Sequence, residues 1–172
     1  QFLMYFSLII DWFQTYGAYD STLNIVFNKI FLTGFVTLAS IVATYFVLNK
    51  ETENSSIYKL TFQPTLYKNF IVLVGIIMAY FVGMLEVSYQ ATEYLSNHHS
   101  AYSFFVLYHF VFTTALMVYV FSKNKEYFFK PILILTVVNV IAYLVFYSNL
   151  PTQEMIQNIQ MKSRSNFAFY FH

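Results

Sequence analysis

The sequence predicts an all-α fold, a polytopic bundle of transmembrane helices. Three observations predict it. Hydrophobic residues make up 58% of the 172 residues and aromatic residues 22%, whereas charged residues make up only 10%. Soluble domains carry about 25% charged residues, and a chain this apolar would expose large sticky patches to water. The apolar residues fall in four runs, each close to the roughly 20 residues that a helix needs to cross about 30 Å of hydrocarbon. The runs show no strict alternation, which argues against transmembrane strands. A helix also satisfies its own backbone hydrogen bonds, as lipid requires.

In chain order, residues 1–13 read as the end of a helix that finishes near Asp11 and Trp12. Trp is favoured at a membrane–water interface. The first full window is 30–48, uncharged and bracketed by Lys29 and Lys50. The second, 70–89, is uncharged until Glu86. The third, 102–121, holds one ionisable group, His109. The fourth, 131–147, opens on Pro131, a residue suited to a first helical turn where no N–H is needed. Residues 167–172 read as the start of another apolar segment. With apolar runs at both termini, the chain is expected to be a fragment of a larger membrane protein, a single helical region with partial helices at 1–13 and 167–172. No internal repeat and no soluble domain is evident.

The polar connectors set an expected orientation. Segment 49–69 carries Lys50, Lys59 and Lys68, and segment 122–130 carries Lys123, Lys125 and Lys130. The opposite side has Lys29, Lys162 and Arg164, and segment 90–101 has no Lys or Arg. Positive loops stay cytoplasmic, so 49–69 and 122–130 are expected in the cytoplasm. The sequon at Asn54 then faces the cytoplasm and has no bearing on glycosylation. Asp11, Asp20, Glu86, Glu93, His98 and His99 gather at the other face.

Several side chains inside the windows are candidates for packing or chemistry. Thr33, Thr37, Ser40 and Thr44 form a narrow hydroxyl stripe, and Gly75, Ala79 and Gly83 form a small-residue ridge on the next helix. Small and hydroxyl-bearing residues favour close helix packing in membranes, so the stripe and the ridge are expected to meet. Glu86 is the most informative single residue. Ionisable groups in such positions face protein or water rather than lipid. It reads either as a proton, cation or substrate site or as a headgroup-level carboxylate near the helix end. His109 is expected to hydrogen-bond a neighbouring helix, with Asn139 and Tyr143 as partners, or to act in a proton relay.

Other chemistry has weak support. Metal motifs on a helix use i, i+4 spacing, which the adjacent His98 and His99 lack, so no metal is expected. No cofactor motif is present. A net charge of +1 gives no electrostatic case for nucleic acid. The absence of cysteine excludes disulfide and thiolate chemistry. The expected partners are the lipid bilayer and the remaining helices of the parent protein. Three functional classes remain. The preferred one is a structural or accessory membrane segment of no assigned activity. Glu86 and His109 would instead line the polar path of a transporter or channel. Asp11 and Asp20 would serve a membrane-embedded enzyme acting on lipid-linked substrates.

Two stretches carry a family resemblance. FNKIFLTGFVTLASIVATYFVLNKE at 27–51 and IIMAYFVGMLEVSYQ at 76–90 resemble segments of the large bacterial polytopic proteins grouped as domain of unknown function 2339. The resemblance implies an integral protein of the bacterial inner membrane with further helices on either side. It supplies no catalytic residues. The bias toward Phe, Tyr, Ile, Asn and Lys also fits an AT-rich genome, and hence an organellar membrane subunit.

Overall fold

The computed structural model describes residues 2–18, 24, 28–50, 55–57, 60–95, 97–123, 126–162, 164 and 170. Asp20, Lys59, Lys125 and most of the terminal segment 167–172 lie outside the described residues. The chain forms α1 (Phe2–Ala18), α2 (Lys29–Leu48), β1 (Ser55–Ile57), β2 (Leu60–Phe62), α3 (Pro64–Tyr94), α4 (His98–Ser122), α5 (Glu126–Ala142), a π-helical turn (Tyr143–Tyr147) and α6 (Leu150–Met161). The fold is all-α apart from one small antiparallel ribbon, in which Ser55 pairs with Phe62 and Ile57 with Leu60. Four helical stretches are long and apolar enough to cross a membrane: Lys29–Leu48, Pro64–Tyr94, His98–Ser122 and Phe128–Met161. Each of the four apolar windows lies within one of them.

The helices extend further than the apolar windows, because polar residues at a helix end cost nothing in headgroups or water. The first helix continues past Trp12 to Ala18, and α3 runs for 31 residues. Pro64 occupies the first position of α3, where its missing N–H is harmless. Pro131 is different. The sequence suggests a first-turn proline, but the helix starts at Glu126 and Pro131 lies inside it. Glu126 in the first turn favours that earlier start through the helix dipole. The π turn has a covalent cause as well. Pro151 has no N–H to offer the carbonyl of Tyr147 four residues earlier, and its ring crowds that carbonyl. The widened turn Tyr143–Tyr147 lies immediately before this break.

By contact density the chain forms two compact units, Gln1–Glu86 and Val87–His172. In the first unit Ile30, Gly34, Ile41 and Leu48 of α2 are buried, and α2 approaches α3 where Gly34 meets Val82 and Ile41 meets Gly75. A Cβ placed on Gly34 would lie 2.8 Å from Val82 Cγ2, so the glycine permits the close approach. A Cβ on Gly75 would lie 3.1 Å from Ile41 Cγ2. The helix α1 joins this unit through Phe13, whose ring meets Phe81 edge-on at 5.9 Å. In the second unit α4 pairs with α5 and α6. Phe121 stacks on Phe129 at one end, Phe110 meets Tyr143 edge-on in the middle, and polar residues join α4 to α6 beyond.

Burial is uneven. In the most apolar part of α3, 39% of residues are buried, against 17% in α2 and α4 and 11% in the fourth stretch. The outward faces carry Phe35, Val36, Val47, Ile134, Val145 and Phe146, all well exposed. Faces of this composition are at ease in hydrocarbon, not in water.

Candidate functional site

The first unit holds Glu86 in a closed polar cluster. Glu86 is 6% exposed although it belongs to an apolar helix. Its Oε2 accepts a hydrogen bond from the Tyr16 hydroxyl at 2.7 Å and another from Asn28 Nδ2 at 2.8 Å. Tyr16 comes from α1 and Asn28 precedes α2, so one carboxylate oxygen links three helices. Asn28 is the N-cap of α2. Its extended backbone lets Oδ1 accept from the Phe31 N–H at 2.7 Å, while its Nδ2 turns to Glu86. The amide also donates to the Asn24 carbonyl at 3.2 Å. Beside this cluster Trp12, Tyr16, Ile30, Phe31, Val82 and Leu85 surround a small void with no room for a water molecule. Trp12 is buried there, against Gly34, rather than presented outward. Its indole N–H has no hydrogen-bond acceptor among the described residues.

A second cluster lies in the other unit, around a residue not singled out from the sequence. Glu154 on α6 is fully buried. The Ser100 hydroxyl donates to its Oε1 at 2.7 Å, and the Ser103 hydroxyl donates to its Oε2 at 2.6 Å. Both serines stand in the first two turns of α4, where the helix dipole favours a negative charge. Asn97 caps α4 by accepting from the His99 and Ser100 N–H groups. Its Nδ2 donates to Asn158 Oδ1 at 2.7 Å and, at 3.5 Å, to the Glu154 carbonyl. The sequence signal was faint, since Glu154 follows Pro151 in a stretch that reads as a polar surface segment. The spacing of Leu150, Glu154 and Asn158 by four residues is the pattern that marks one buried helix face.

The other candidates are placed as follows. Thr33, Thr37 and Thr44 bond carbonyls of their own helix, those of Ile30, Thr33 and Ser40 respectively. Thr33 and Ser40 are exposed, and Thr37 and Thr44 are half-buried. The α2 seam toward α3 therefore runs beside the hydroxyl stripe, through Gly34 and Ile41, because a glycine gives closer approach than a threonine. Gly75, Ala79 and Gly83 are half-buried. His109 is half-buried, its ring edge-on to Phe110 and its carbonyl accepting from Thr113. Asn139 is buried, and its Nδ2 has no hydrogen-bond partner among the described residues, His109 included. Asp11 is exposed, and its carbonyl accepts from Thr15. Glu93 and His98 are exposed and His99 is half-buried in the first turn of α4.

One cavity of about 570 Å³ opens along α4, lined mainly by Val106, Leu107, Phe110, Val111, Thr114 and Tyr143. It is apolar and holds neither carboxylate. Comparison with protein families, with curated proteins and with solved structures finds no match for this chain.

Proposed function

We propose that the chain is an integral membrane segment with a structural or accessory role, its helices fastened to one another by buried carboxylates. The observation that carries this reading is the engagement of both carboxylates by neutral donors of neighbouring helices. Glu86 receives Tyr16 and Asn28, and Glu154 receives Ser100 and Ser103. Hydrogen bonds of this kind hold helices together where lipid offers no competing partner. The hydroxyls of α2 turn back onto their own backbone, which supports a packing role over a polar path. The apolar outer faces and the resemblance to the domain of unknown function 2339 proteins support the bacterial inner membrane. Lysine placement supports cytoplasmic positions for 49–69 and 122–130. In that orientation both carboxylates belong to the non-cytoplasmic ends of their helices.

Reconstitution into sealed vesicles tests this reading. The scaffold role predicts that Glu86→Gln lowers resistance to denaturation while proton, Na⁺ and K⁺ permeability of the vesicles stays at the level of protein-free lipid. A cation flux carried by the wild-type chain and abolished by Glu86→Gln would replace the scaffold with a transporter.

A second reading, a polar path or ligand site in the second unit, is favoured by Asn139. Its amide is buried with an unused donor, one turn before the π turn, and π turns recur at functional sites. An idle amide predicts that Asn139→Leu stabilises the protein. A functional amide predicts loss of a measurable activity in the same variant.

A further inference from the structure

We infer that the chain is built from two copies of one helical hairpin, α2–α3 and α4–α5–α6, and that Glu154 is the counterpart of Glu86. Each hairpin opens on an asparagine N-cap in the extended region, with φ −98° and ψ 156° at Asn28 and φ −99° and ψ 111° at Asn97. Each asparagine caps its helix through Oδ1 and sends Nδ2 across to the returning helix. Asn28 donates to the Glu86 carboxylate, 58 residues on, at 2.8 Å, whereas Asn97 donates to Asn158 Oδ1, 61 residues on, at 2.7 Å and to the Glu154 main-chain carbonyl at 3.5 Å. In both copies a further amide follows the glutamate by four residues, Gln90 after Glu86 and Asn158 after Glu154.

The spacing is kept although the connectors differ. The first hairpin turns through 49–63 with a β-ribbon, and the second turns through 123–125. The longer α4, 25 residues against 20 for α2, contributes to the compensation. An offset of 68 residues carries Glu86 onto Glu154, and an offset of 69 carries Asn28 and Gly34 onto Asn97 and Ser103, all of them buried. The correspondence is confined to these polar ends, since buried Met78 and Ala91 fall on exposed Phe146 and Ile159. Gly34 is where α2 meets Val82 of α3, and Ser103 is where α4 meets Glu154 of α6.

The difference in hydroxyl donors has a local reason. Ser100 and Ser103 supply both hydroxyls to Glu154. Their equivalents on α2 are Phe31 and Gly34, which have no hydroxyl. The first hairpin takes its hydroxyl instead from Tyr16 of α1. The repeat is thus one of polar closure, with little identity of sequence, and for that reason no repeat is visible in the sequence.

Hydrogen exchange on the full chain in lipid vesicles tests the equivalence. Asn28→Ser and Asn97→Ser keep an N-cap oxygen but remove the crossing amide; Asn28→Ser is combined with Glu86→Gln, and Asn97→Ser with Asn158→Ala, which removes its 2.7 Å acceptor. The repeat predicts that Asn28→Ser speeds exchange about tenfold in the first turn of α2 and leaves α4 unchanged, with the reverse for Asn97→Ser. Effects within each hairpin are non-additive, while Asn28→Ser and Asn158→Ala combine additively. Should a glutamine variant fail to insert, Ser103→Ala and Tyr16→Phe remove single hydroxyls from equivalent closures and replace it in the cycles. Coupling in one hairpin only, or equal coupling within and across hairpins, would overturn the inference.

Discussion

At the residue scale, the second unit places one fully buried carboxylate, Glu154, between two helices. A hydrogen bond to a charged group contributes about 1.5–3 kcal/mol, and leaving such a group unpaired costs more. Glu154 has no exposed surface and two serine donors within 2.7 Å. Glu154→Ala should therefore destabilise the chain by about 3 kcal/mol, in the range seen when one member of a buried pair is removed. Ser103→Ala should cost about 1 kcal/mol, near the average for interhelical hydrogen bonds in membranes. Denaturation in mixed micelles measures both, and equal losses for the two would contradict the charge argument. Gly34 makes a separate case. With Val82 Cγ2 at 2.8 Å from its would-be Cβ, Gly34→Val should cost about 1–3 kcal/mol by overpacking. Gly75→Ala should cost less, because its neighbour stands at 3.1 Å.

At the element scale, the two asparagine caps join local structure to packing. An N-cap asparagine replaced by alanine costs about 1 kcal/mol through the lost cap alone. Asn28→Ala also removes the donor to Glu86 and should cost more than an ordinary cap, close to 2 kcal/mol with the interhelical bond included. Circular dichroism during denaturant titration checks this, and a loss no larger than the cap value would show the Glu86 bond to be idle. The caps were legible in principle, since an asparagine directly before an apolar run signals a helix start. Their second task was not, because it needs the returning helix some sixty residues later. The apolar windows were legible because lipid imposes a length and a composition on any helix that crosses it. The π turn and the early start of α5 were hidden by competing proline effects at Pro131 and Pro151. Glu154 was hidden by its polar sequence neighbours, which lie at the end of a long helix rather than on a loop.

At the scale of the whole molecule, one account joins composition, helix length and the buried carboxylates. Four apolar stretches expose Val, Ile, Leu and Phe outward and bury the polar side chains of Glu86, Asn139 and Glu154. Such a chain is stable only in a medium that solvates apolar side chains and leaves polar groups no partner but one another. Sequence alone carried this far because solvent quality is written in composition. It did not show which polar groups meet, since that depends on packing. Single-cysteine labelling in sealed vesicles tests the central claim most directly, and a chain with no cysteine of its own gives a clean background. The account predicts that Lys50→Cys and Lys123→Cys react with an impermeant reagent from one face, Tyr94→Cys reacts from the other, and Ile134→Cys within the fourth stretch reacts from neither. Reaction of all four positions from the same face, or release of the chain from the vesicles by alkaline carbonate, would contradict it.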